Sequence, residues 1–218
     1  MHITHENIKH AIIKSQHCQR NWDLSKDILA EDMDLLIHAV TNCPSKQNVA
    51  YYKVHFITNR NIIESIHSFT DGFTVNFETG ESQTNSQTLA NLLIAFEPID
   101  YFSQPDSDIY RSVEVQNFKE KTASSEDKWV LDRDQQVAIG IAAGYANLVS
   151  SILGYSTGCC SCFDIENVSR ILNTKNGVSL LMGVGVKDSN RPRREHHLEP
   201  NFVFPTKKKQ PIEFNLIN

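Results

Sequence analysis

Scarcity excludes several protein classes at once. In 218 residues there are five cysteines, seven prolines, nine glycines and two tryptophans. Disulfide scaffolds are shorter and denser in cysteine, so Cys18, Cys43, Cys159, Cys160 and Cys162 read as reduced thiols. No apolar run approaches the ~20 residues that cross a bilayer. Basic residues are outnumbered, 21 against 26, and the formal charge of −5 argues against a general nucleic-acid binder. Lys207, Lys208 and Lys209 are a local exception that reads as a solvated face. The first fifteen residues carry His2, His5, Glu6 and His10 and lack an apolar signal core. A cytoplasmic location is therefore expected, with neither membrane nor nucleic acid as partner. G-x-G-x-x-G, Walker and G-x-S-x-G patterns are also missing, which removes Rossmann, P-loop and serine-nucleophile readings. Cys159-Cys160-Ser161-Cys162 has no second spaced pair of the kind zinc prefers, and no residue is assigned to a metal.

What is present reads as a single domain over 1–218. Helical spacing and capping signals predict helices over 6–14 and 25–41, the second opened by Ser25. YYKVHFIT, 51–58, alternates and is rich in aromatic and β-branched residues, hence a strand. A short helix over 61–69 follows, then a polar stretch from Ser86 that ends in the buried-strand run Leu92-Leu93-Ile94-Ala95-Phe96. Residues 98–128 are irregular and read as a lid or substrate segment. Asp134 to Leu153 is almost uncharged and rich in small residues, a helix buried on most sides that suits a subunit interface, closed by Gly154 as C-cap. A helix over 165–172 and a second buried strand over 177–186 complete the body. The tail Ile212 to Ile217 alternates like a strand at the end of an extended arm, 200–218, that could pair with another subunit's sheet. Strands far apart in sequence among helices make the fold class α+β.

Two short polar clusters flank the second helix. One is Gln16-His17-Cys18-Gln19-Arg20-Asn21-Trp22; the other is Pro44-Ser45-Lys46-Gln47-Asn48. Each mixes hydrogen-bond donors and acceptors with a cation, which suits a ligand bearing both a phosphate and a polar ring. A third cluster, Arg191-Pro192-Arg193-Arg194, lies near the far end of the chain and can join them only through the fold.

Taken in order, these clusters resemble the nitroreductase family of flavin-dependent oxidoreductases. The first stands where the family has R-x-S-x-R-x-F, and the second matches P-S-x-x-N. The small-residue helix ending at Gly154, with Phe163-Asp164 after it, resembles the family's dimer helix and G-F-D ending. Val178–Val186 and Arg191-Pro192-Arg193 match the late strand and basic pair. The resemblance implies a central mixed, mainly antiparallel sheet flanked by helices, in an intertwined homodimer with exchange of the C-terminal arm. It implies FMN between the subunits, NAD(P)H as co-substrate, and hydride transfer through flavin N5 to a nitroaromatic, quinone or similar small acceptor, with no protein residue catalytic. By the same resemblance Arg20 lies near N1 and O2 of the flavin, and Arg191 and Arg193 hold the phosphate with Gln16, His17 and Cys18. Pro44, Ser45, Lys46 and Asn48 reach in from the partner. Cys159, Cys160 and Ser161 lie against the ring, and Gln83 or Asn85 bonds the pyrimidine edge. Gln16 stands where the family has arginine and Cys18 where it has serine, so Arg194 becomes the candidate to replace the lost charge. Those departures, with the altered 159–162 loop, keep two alternatives open: a flavin-storing protein without turnover, and a flavin-cleaving relative.

Overall fold

A computed structural model describes residues 4–76, 78–99, 125–205 and 208–217. Its frame is a four-stranded sheet in the order β1-β4-β6-β5, formed by β1 (Tyr52–Ile57), β4 (Leu92–Pro98), β6 (Leu180–Gly185) and β5 (Ser156–Cys160). Every pairing in it is antiparallel, so the parallel component of the expected mixed sheet is absent among the described residues. A separate hairpin, β2 (Phe73–Asn76) with β3 (Glu81–Gln83), turns at Gly80, whose φ of +73° favours glycine.

Side-chain alternation divides the core into two layers, one on each face of the sheet. Leu92, Ile94 and Phe96 of β4 join Met182 and Val184 against α2 (Ala30–Thr41) and α4 (Ser125–Ile152). Leu93 and Ala95 join Leu181 on the other face, with Ile63 and Ile66 of α3 (Arg60–His67) and Val168 of α5 (Ile165–Leu172). A strand covered on both faces has no polar side to show, which is why 92–96 is continuously apolar. Each fully buried leucine here contributes about 2 kcal/mol of transfer free energy.

Local chemistry sets the helix ends. In α1 (His5–Ser15), Thr4 Oγ1 accepts from Asn7 N at 3.2 Å and Asn7 Oδ1 accepts from Thr4 N at 3.0 Å, closing a capping box. The expected start of α2 at Ser25 is corrected to Ala30. Asp23 Oδ1 accepts from both Ser25 N at 3.1 Å and Ser25 Oγ at 2.5 Å, forming a local turn instead of a cap. The long helix begins at Ser125, well before Asp134, and Gly154 closes it with φ +98°. That start lies inside the expected 98–128 lid, whose first residue, Pro98, instead ends β4; residues 100–124 are outside the described residues.

Cys159 and Cys160 lie on β5, paired with Met182 and Leu181. The tail 211–217 forms no strand, and Ile212, Phe214, Leu216 and Ile217 are 81 to 92% exposed. Helix α4 is buried along one side only: Ala138, Ala142 and Ala146 face the core, as does Ala143. Val137, Gly140, Gly144 and Tyr145 are exposed.

Candidate functional site

The segment after α1 runs along the outer edge of β5. Gln19 N donates to Thr157 O at 2.8 Å, Asp23 N to Val186 O at 2.8 Å, and Trp22 bridges Lys187. Gly158 makes this approach possible, because a Cβ there would stand 2.8 Å from Gln19 O. The loop after β6 then closes over the same segment: Arg20 N donates to Arg193 O at 3.0 Å, and Asn21 Nδ2 donates to Pro192 O. Asn21 is fully buried and fixed from behind by Gln19 Nε2, 2.7 Å from Asn21 O. Thus two clusters some 170 residues apart in sequence occupy one place.

Three cations gather there. Burial holds the Arg20 pKa below its ordinary value, Arg193 and Arg194 repel it further, and Cys18 and Cys160 oppose them. Arg20 Nε is buried without a hydrogen-bond partner, and its guanidinium lies 4.6 Å over the Phe204 ring. Arg193 Nη1 donates to Cys18 O at 3.2 Å, and Arg194 Nη1 to Phe204 O at 3.4 Å. Arg191 turns into its own loop, donating to His197 O at 3.0 Å, His196 O at 2.6 Å and Glu195 Oε1 at 3.1 Å. Gln16 and His17 are exposed.

The other expected site residues divide between this edge and the opposite one. Cys159 is exposed on β5, with Ser161 just after the strand. Cys160 is buried, its thiol pKa pushed up by desolvation to about 11, so it is neutral at physiological pH. Asn85 is buried; its N donates to Thr70 Oγ1 at 2.8 Å and its Oδ1 accepts from Gln87 N at 3.1 Å. Gln83, half-buried at the end of β3, lies in the same stretch of chain. Pro44, Ser45, Lys46 and Asn48 instead precede β1, at the far edge of the sheet from β5. Three strand spacings, roughly 14 Å, separate those edges. Ser45 Oγ donates to Val49 O at 2.8 Å, Lys46 Nζ pairs with Asp134 at 2.6 Å, and Asn48 takes a left-handed φ of 56°. Ser45 and Asn48, with Cys43, Tyr52 and Phe56, border a cavity of about 570 Å³.

No family model and no curated protein matches this sequence. Solved structures do match in shape. A protein from Exiguobacterium sibiricum assigned as a nitroreductase, in complex with FMN, superposes with a TM-score of 0.63 at 14% identity, covering 94% of this chain and 95% of that one. A nitroreductase family protein from Streptococcus pneumoniae gives 0.59 at 19% identity, over 91% and 98%. One from Staphylococcus epidermidis assigned as an NAD(P)H:FMN oxidoreductase gives 0.59 at 15%, over 94% and 92%.

The fold is that of the nitroreductases.

Within this nitroreductase fold several residues were not legible from spacing. His196, which no motif singles out, is 1% exposed. Its Nδ1 accepts from Leu198 N and Glu199 N, both at 3.1 Å, so the proton sits on Nε2 and points to Thr84 Oγ1 at 3.2 Å. Phe202 and Phe204 pack around it. The alternation Phe202-Val203-Phe204 was the only sequence signal for this cluster.

Proposed function

We propose that the protein is an FMN-dependent oxidoreductase acting as a homodimer, which takes hydride from NAD(P)H and reduces a small acceptor such as a nitroaromatic or quinone. The observation that carries this reading is the meeting of Arg20, Arg193 and Arg194, with a buried, partnerless Nε on Arg20. Clustered cations with an unused donor fit a phosphorylated ligand that takes on negative charge when reduced. FMN, when bound, supplies hydride acceptance at N5 and onward electron transfer. The chain's own residues would bind and orient. Arg193 and Arg194 would face the phosphate, Arg20 the N1 and O2 edge, and Cys159 with Ser161 the ring beside β5. Asn85 and Gln83 would serve the pyrimidine edge.

The opposite placement of the 44–48 cluster supports the dimer part of this reading. Pro44, Ser45, Lys46 and Asn48 cannot reach a ligand at the β5 edge of their own chain across roughly 14 Å of sheet, but a second copy can bring them there. The exposed stripe of Val137, Gly140, Gly144 and Tyr145 on α4 supports packing between copies. Exposed Gln16 and Arg191, held within its own loop, favour a second reading: a flavin-holding protein with weak phosphate binding and no turnover. The purified protein's visible spectrum and its NADH and NADPH oxidation test both. A yellow protein oxidising either nucleotide supports the first reading. A yellow protein inert with every acceptor supports the second, and a colourless protein that takes up no added FMN overturns both.

A further inference from the structure

Nothing among the described residues holds the Arg20 guanidinium by a hydrogen bond or an ion pair. A surface arginine in that state would wander. This one is half-buried, and what it touches is the face of Phe204, 4.6 Å from the ring centroid and well inside the ~6 Å range of cation–π attraction. The difference in chemistry matters. A carboxylate would fix Arg20 but cancel its charge and occupy its N–H groups. An aromatic face attracts the cation through the ring quadrupole and leaves the in-plane donors free.

Phe204 is itself held firmly. Its backbone N donates to Arg194 O at 2.9 Å, His196 N donates to Phe202 O at 2.8 Å, and Glu195 bridges Val203. The chain therefore doubles back on itself from 194 to 204. His196 stacks on the Phe204 ring at 5.7 Å and 25°, and Phe202 meets it edge-on at 5.0 Å. His196 cannot rotate, since both ring nitrogens have partners. Phe204 is 4% exposed.

We propose that Phe204 is a positioning residue, a rigid aromatic seat that aims an uncompensated Arg20 at the electron-rich edge of the flavin. The proposal rests on the FMN reading above. Its consequence is that the flavin's affinity and reduction potential depend on a ring that does not touch the flavin.

The test measures the FMN dissociation constant and the potential of bound FMN in the full-length protein. Phe204→Leu should weaken FMN binding by about tenfold and make the potential more negative, while Phe204→Tyr should stay within about twofold of wild type. In Arg20→Gln the seat has nothing to hold, so the double variant Arg20→Gln/Phe204→Leu should bind no more weakly than Arg20→Gln alone. A shape-preserving check replaces Phe204 with mono-, di- and pentafluorophenylalanine, which drains the ring quadrupole stepwise. Affinity and potential should fall with each step. Independent losses in the double variant, or a flat response to fluorination, would overturn the role of Phe204. Wild-type protein that takes up no FMN would overturn the functional reading and this proposal with it. Wild-type binding with unchanged variants overturns the proposal alone.

Discussion

His55 Nε2 lies 2.8 Å from Glu97 Oε2, and the other oxygen of that carboxylate accepts from Lys175 N at 2.9 Å. One buried side chain thus ties β1, β4 and the turn after α5. Glu97 is 5% exposed, and although desolvation works against ionisation, the His55 and backbone N–H bonds win and hold its pKa below the usual carboxylate value. Glu97→Ala would strand the His55 ring nitrogen and a backbone N–H, at a cost of about 3 kcal/mol. Glu97→Gln keeps the acceptor oxygen and should cost less than half of that. Urea unfolding of the two variants checks the order; equal losses would mean that the carboxylate charge, not the bonding pattern, matters.

A pH dependence follows from His67. Burial, then the charges of His196, Arg60 and His197, push its pKa from 6.5 down to about 4. The folded state therefore resists a proton that the unfolded chain accepts. The stabilisation is complete above pH 6.5, is lost as pH falls toward 4, and does not change further below that. Its full size is up to roughly 3 kcal/mol. Glu97, with its depressed pKa, adds a further loss at still lower pH. Urea midpoints from pH 7.5 to 4 should fall steeply in the wild type and less in His67→Leu. Parallel curves would assign the dependence to other groups.

How much of this was legible depended on whether local pattern and tertiary context agreed. Leu92–Phe96 and Leu180–Gly185 were readable because a strand buried on both faces is continuously apolar. The hairpin 73–83 was not: Phe73 and Val75 alternate with Thr74 and Asn76, but the partner strand Glu81-Ser82-Gln83 is three residues long and wholly polar. β5 was hidden by Gly158 and its two thiols, residues with little strand character of their own; the neighbouring Gln19 segment and β6 make it a strand. Arg20 and Arg193 could be named from the resemblance of their clusters to a known family, but not their seat. Phe204 gains its meaning only from a turn whose bonds, such as Phe204 N to Arg194 O, no periodicity announces.

Gly144 offers a way to separate fold from assembly. It is exposed on α4, and a Cβ built there meets nothing within 4 Å, so its own subunit has room for a side chain. Gly144→Leu should therefore fold, gaining up to about 1 kcal/mol of helix propensity. If α4 packs against its copy, the same leucine should block the close approach and leave a monomer. Sedimentation with thermal unfolding reads both at once. A dimer that tolerates Gly144→Leu would place the subunit contact elsewhere.

The last four apolar residues of the arm make the strongest demand for a partner. Ile212, Phe214, Leu216 and Ile217 are 81, 87, 82 and 92% exposed, and the first three alternate as a strand's side chains would. Exposure this complete leaves several kcal/mol of transfer free energy unrealised in the isolated subunit, at about 2 kcal/mol per large side chain. The subunit also presents a place where such a strand would bury them. β1 is an edge strand, and beside it Ile37, Val40, Val54 and Phe56 line the 570 Å³ cavity. An arm from a second copy laid there would satisfy the edge and cover the apolar groups. It would also brace Ser45 and Asn48, which line the same cavity and are proposed to reach the partner's flavin. Deleting 211–218 should leave the subunit folded, weaken dimerisation by at least tenfold, and speed loss of FMN in proportion, because a ligand shared between subunits stabilises the dimer by mass action. Analytical ultracentrifugation with and without FMN measures both effects. A truncated protein that remains dimeric and retains its flavin would show that the arm is a solvated tail.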